Sequence, residues 1–197
     1  MLRFSFRPAF TLRGRAFQGP RGWDGAPSHP PLVHFPIAAY VLAAAFDVIS
    51  LFGDGRGWGH DAFVAAVWVM AGGFLVSLLT ATTGILDWLT IDRASQVGRT
   101  ANAHGLLMVT ATVLVVIDLI VALSRYGAPT AGAAATVLGV LAALVTVVGA
   151  GLGGALVFDH GVRVVNSQST PAWEPSDVDR LPDGTEVPVR GGREIAG

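Results

Sequence analysis

Four long apolar stretches, Leu32 to Phe52, Ala62 to Leu86, Gly105 to Leu123 and Ala131 to Phe158, constrain this chain more than anything else in it. A helix rises 1.5 Å per residue, so about twenty residues cover the roughly 30 Å hydrocarbon core of a bilayer. Lipid satisfies no backbone N–H or C=O, and the stretches lack the polar/apolar alternation of a barrel, so helices are expected. The expected fold is all-α, a four-helix transmembrane bundle with helices at about 32–52, 62–89, 104–124 and 131–159, in a membrane domain spanning 32–160. The chain is 52% hydrophobic and 14% charged, against about a quarter charged in soluble domains.

The flanks set the expected topology. Residues 1–31 carry Arg3, Arg7, Arg13, Arg15 and Arg21 against one acid, Asp24, and a Pro/Gly-rich stretch follows to Pro31. A secretory signal would place an apolar core and a small-residue cleavage site there, so none is expected. These five arginines fall on one side with Arg93, Arg99 and Arg163, while the opposite loops hold only Arg56 and Arg125. The positive-inside rule then puts both termini in the cytoplasm and the chain in the bacterial inner membrane. Phe4, Phe6, Phe10 and Phe17 interleave the first arginines, which either lie on the anionic leaflet or simply set topology. Trp58, Trp88 and Tyr126 stand where interfacial aromatic belts belong. Residues 161–197, a short cytoplasmic tail with six acids and four arginines, hold too little apolar surface for a core. The Asp-Gly turn signal within Leu181 to Val189 suits a short hairpin; otherwise the tail is expected to be disordered or docked on a partner.

Composition also excludes function classes. A net charge of −1 leaves no basic field for nucleic acid. With no cysteine, disulfides, thiolate iron–sulfur or zinc sites and covalent c-type haem are excluded. No nucleophile elbow, P-loop or dinucleotide fingerprint stands in its required setting, so a carrier or binding protein is expected before an enzyme with its own substrate. The expected partners are the lipid bilayer, a separate redox protein and a second copy of the chain.

The two helix pairs share a pattern. His34 precedes Asp47 by thirteen residues and His104 precedes Asp118 by fourteen. The even helices end in Gly84-Ile85-Leu86-Asp87-Trp88 and Gly154-Ala155-Leu156-Val157-Phe158-Asp159-His160. Two hairpins of one orientation point to a parallel duplication. Chance agreement between apolar helices is the other reading.

Alternating spans gather His29, His34, Asp87, His104, Asp159 and His160 at one membrane face, and leave His60 across from them. Neutral imidazole ligates a transition metal through one nitrogen while the other donates to a carboxylate or carbonyl. His104 and His160 are the expected axial pair of a b-type haem, with His34 and His29 as alternates and Asp87 and Asp159 behind them. A haem also needs a slot, and Gly153 with Gly154 lies on the His160 face of its helix. Gly149 and Gly153 form a GxxxG, so close helix packing asks for the same glycines. Without haem, His34, His104 and His160 would hold another transition metal, or the histidines would merely be solvated boundary residues. Pro36 falls where a first helical turn tolerates it, placing His34 at or just before the helix start and His29 on a stiff, irregular lead-in. Asp47 and Asp118 sit roughly 8 to 9 Å inside the outer helix ends. They either relay protons or form a paired hydrogen bond, or they cap loop amides near the surface.

Ser28-His29-Pro30-Pro31-Leu32-Val33-His34-Phe35-Pro36, then Asp47, Gly84 to Trp88, His104 and Gly153 to Gly161, resembles a bacterial family of predicted four-span membrane proteins catalogued as domain of unknown function 2231. The resemblance covers about residues 28 to 165, with Phe158 where the family often has Tyr. Its members look similar to two-haem b-type membrane cytochromes, and some are joined to Rieske-type domains, which implies electron transfer. The rival expectation is metal-ion or proton transport or sensing through the same His/Asp set. A non-catalytic assembly subunit is the third.

Overall fold

The structure is a computed structural model, described here over residues 15–164, 178–180 and 185–188. Its central unit, Ser28–Val162, is a bundle of four antiparallel helices: α1 (His29–Leu51), α2 (Gly57–Trp88), α3 (Gln96–Ser124) and α4 (Gly132–Phe158). All four are long and apolar enough to cross a bilayer. Leu75, Leu79, Leu106, Ile120 and Val148 point outward and are more than half exposed. Contiguous apolar surface on that scale is compatible with lipid and not with water.

The first three helices begin earlier than the apolar stretches, because hydropathy falls at polar residues that the helix tolerates. In α1 the missing N–H groups of Pro30 and Pro31 fall in the first turn, where no intrahelical partner exists anyway. His29 is therefore the first helical residue. His34 lies a turn further in, and Pro36 stands inside the helix. In α3 the Ser95 hydroxyl accepts from the Gly98 N–H at 3.0 Å, so two polar turns precede His104.

The core is built from small side chains, with Ala43, Ala66 and Ala142 around Tyr40, Met70 and Val115, and a second cluster of Phe63, Val67, Ala122, Ala131 and Ala135. Without a hydrophobic drive between helices in lipid, small residues let backbones approach and gain dispersion. α1 packs most extensively on α2 and α3 on α4; α1 also meets α4, and the seam between α2 and α3 is the sparest.

At the end away from His29, the α1–α2 turn is held by backbone approach. A methyl on Gly59 would stand 2.4 Å from the Gly53 carbonyl oxygen. The fully buried Ser50 hydroxyl donates to Gly59 O at 2.8 Å and accepts from Ala131 N–H at 3.1 Å, tying the end of α1 to the starts of α2 and α4. Ser50→Ala leaves the buried Ala131 N–H unpaired, so a loss of about 1–3 kcal/mol is expected. Thermal unfolding in detergent should show a Tm several degrees lower, while Thr110→Ala on the exposed face of α3 leaves it unchanged.

The second unit takes in residues before and after the bundle. A 3-10 turn at Gly19–Arg21 leads into an antiparallel hairpin, β1 (Gly22–Trp23) with β2 (Ala26–Pro27). Arg163, read from sequence as a topology-setting charge, donates to the carbonyls of Arg21 at 2.9 Å and Trp23 at 3.1 Å. In the tail, β3 (Val178–Arg180) pairs antiparallel with β4 (Glu186–Pro188), Asp179 opposite Val187. The strands thus flank the Asp183-Gly184 pair, which lies outside the described residues, as do Phe4, Phe6, Phe10 and the first three arginines, Arg3, Arg7 and Arg13.

Candidate functional site

Two histidines from different helices meet at the bundle end where α1 starts and α4 finishes. His29 opens α1 and lies against α2, its Nδ1 3.0 Å from the Thr80 carbonyl oxygen. There is room because residue 84 is glycine: a methyl there would stand 2.7 Å from His29 Cε1. His104 lies against α4 in the same way, its Nδ1 2.8 Å from the Gly149 carbonyl oxygen and its ring over Gly153, where a methyl would stand 3.0 Å from Cε1. In both halves the accepting carbonyl is four residues before the glycine, one helical turn along the same face. The Thr83 hydroxyl also donates to Thr80 O at 2.9 Å and stands 3.4 Å from His29 Nδ1, fixing the edge of that ring.

A carbonyl accepts but never donates. The proton of each neutral imidazole is therefore on Nδ1, and Nε2 carries a free lone pair. That is the tautomer and backing of a metal-ligating histidine. The ring centres are 6.4 Å apart with planes at 80°. Imidazole nitrogen binds a first-row metal such as zinc at about 2.0–2.1 Å and stands about 1.1 Å from its ring centre, so two imidazoles on opposite sides of one ion have centres about 6.3 Å apart. Among the described residues, no three His, Asp or Glu side chains gather into a metal-binding group. The donor set is two imidazoles.

The other residues singled out in the sequence fall elsewhere. His160 does not face His104: its Nε2 is 3.5 Å from the Thr100 hydroxyl, a turn earlier on α3. His34 is exposed, with Nδ1 3.2 Å from the Pro31 carbonyl of its own helix. The expected His34–His104–His160 metal set is therefore not assembled, since starting α1 at His29 turns His34 outward. Gly153 admits the His104 imidazole rather than lying bare below His160, and a methyl on Gly154 would meet only Phe158 of its own helix, at 3.9 Å. Gly149 does serve close packing, since a methyl there would collide with Met108 of α3. Asp87 is buried one turn beyond Thr83 on α2, whereas Asp159 is exposed. Trp88 donates to Asn102 at 2.7 Å, closing α2 onto α3 beside the site, and Arg93 stacks over its ring at 4.3 Å. Sequence reading passed over Thr80 and Gly149 as acceptors. Their signal is the shared spacing Thr80/Gly84 and Gly149/Gly153.

At the opposite end, Asp47 of α1 and Asp118 of α3 converge on Gly139 of α4 and are buried rather than capping loop amides at the surface. His60 is tied to the α3–α4 loop through the Ala128 carbonyl, 2.8 Å from Nδ1.

A family model described as "Predicted membrane protein (DUF2231)" matches residues 25–166, which take in all four helices, both facing histidines and both buried aspartates. No curated protein and no solved structure matches the chain.

Proposed function

The chain belongs to the DUF2231 family of predicted membrane proteins, and on that footing we propose that this multi-pass protein transfers electrons through a b-type haem held by His29 and His104. The observation that carries the reading is the pair itself: two Nδ1-protonated imidazoles from different helices, 6.4 Å between centres, each backed by a carbonyl. A bare transition-metal ion needs three or four protein donors. Haem brings four nitrogens of its own, so two imidazoles complete its iron, and this favours haem over the bare ion.

When bound, haem supplies a site that takes and gives one electron. The chain does the rest. The Thr80 and Gly149 carbonyls hold each ring in one tautomer and raise the basicity of Nε2. Gly84 and Gly153 leave the room that each ring occupies beside its neighbouring helix. The arginine distribution supports both termini on the cytoplasmic side of the bacterial inner membrane, which puts the histidine pair near that face, within reach of a separate redox protein.

The test is the reduced-minus-oxidised optical spectrum of detergent-solubilised protein, purified from cells supplied with haem. Soret and α bands at about one haem per chain are expected. Their absence at full protein yield rejects the reading, and stoichiometric zinc or copper without haem replaces it with metal handling. Cofactor content unchanged by alanine at both His29 and His104 would leave an assembly role.

A further inference from the structure

We propose that Asp47 and Asp118 together form a proton-binding site inside the bundle, one proton shared between two carboxyl groups. A methyl on Gly139 would stand 3.1 Å from Asp118 Oδ2 and 3.2 Å from Asp47 Oδ2, so the two oxygens are no more than about 6 Å apart across the glycine. Asp118 is 1% exposed and Asp47 3%. Both oxygens of Asp118 and Oδ1 of Asp47 have no hydrogen-bond partner, where a buried polar atom nearly always has one. The glycine is what brings the third helix close enough to seal the pair.

What faces the pair decides its ligand. The small void between the carboxyls is lined by Ala66, Val67 and Met70 of α2 and Leu119 and Ala122 of α3. Neutral oxygens nearby are committed: Ser50 to Gly59 and Ala131, and Thr136 to its own helix at Gly132. The titratable groups on the packed elements lie away from it. Tyr40 is two turns along α1, His60 points to Ala128, Asp61 is exposed, and the Arg125 guanidinium rests on Gly132; α4 contributes none. A sodium or calcium ion would need about six oxygens, which this wall does not offer. A proton needs two. It bonds to an oxygen of one carboxyl and takes the pair from two negative charges to one. It comes from and returns to water at the nearby helix ends.

Infrared spectroscopy of the full chain in proteoliposomes at neutral pH tests this. The wild type should show the C=O stretch of a protonated carboxyl, shifted in D2O, and the Asp47→Asn/Asp118→Asn double variant should lose it. Gly139→Ala, with its methyl against both oxygens, should shift its frequency. No such band in the wild type, a band retained in the double variant, or carboxylate bands that shift when sodium or calcium is added would each overturn the proposal. The wild-type and cation measurements decide it even where a variant fails to fold. Because the readout is vibrational, the outcome is independent of whether haem is bound.

Discussion

His29→Ala and His104→Ala should each abolish the proposed haem binding while leaving the bundle assembled, whereas His34→Ala and His160→Ala should keep most of it. The asymmetry follows from geometry. His29 and His104 face each other with ring centres 6.4 Å apart, while His34 is exposed and His160 stands by Thr100. Neither ring of the pair is among the fully buried core residues, so losing one removes a ligand without opening a core cavity. Haem per chain after purification, read beside circular dichroism of the same sample, checks this. Equal losses from His34→Ala and His104→Ala would mean that the pair has no special standing.

The second large effect is expected from two glycines that touch no cofactor. In Gly84→Ala the new methyl would stand 2.7 Å from His29 Cε1, and in Gly153→Ala 3.0 Å from His104 Cε1. Each pushes its imidazole off the carbonyl that orients it. Loss of such an orienting partner typically costs 10–100-fold in metal affinity. Haem affinity should therefore fall by about that factor, more at Gly84 than at Gly153. Gly151→Ala is the control, since its methyl meets nothing within 4 Å. There the only change is helix propensity, about 1 kcal/mol in favour of alanine. Titration of haem into the apoprotein measures all three. Equal affinities across the series would show that the rings are not held by these contacts.

Much of the fold was readable because the bilayer leaves few options. Apolar stretches of more than eighteen residues have to be helices, and four of them in a short chain have to pack together. The helix starts were less legible. Hydropathy drops at Gly57 to Asp61 and at Gln96 to Asn102, yet these turns continue α2 and α3 because the Gly53/Gly59 approach and Ser50 contact in α2 and the Ser95 cap in α3, not lipid, support them. The start of α1 mattered most. Reading Pro36 as a first-turn proline placed His34 at the helix start, but Pro30 and Pro31 fill that role. The helix thus begins five residues earlier, and His29 is turned inward in place of His34.

The same shift explains which parts of the site were visible. That histidines gather at one end follows from alternation of spans and needs no structure. Which two meet depends on rotation about each helix axis, at 100° per residue, so a small error in register changes the answer. The repeat read from sequence set His34 beside His104. In the structure His29 stands to Thr80 and Gly84 as His104 stands to Gly149 and Gly153. The Gly149/Gly153 motif was equally ambiguous, because a glycine admits a neighbouring helix or an imidazole with the same missing Cβ. Asp47 and Asp118 were legible as intramembrane acids. Their convergence was not, since it depends on Gly139 of a third helix.

In the proposed state two imidazoles, from α1 and α3, grip one iron. Electron paramagnetic resonance of the oxidised, purified protein tests it most directly, because the spin state reports the number and orientation of axial ligands. With ring planes at 80°, a low-spin ferric signal of the strongly anisotropic kind given by near-perpendicular imidazoles is expected, lost in both His29→Ala and His104→Ala. A high-spin signal in the wild type, or a low-spin signal that survives either substitution, would contradict it.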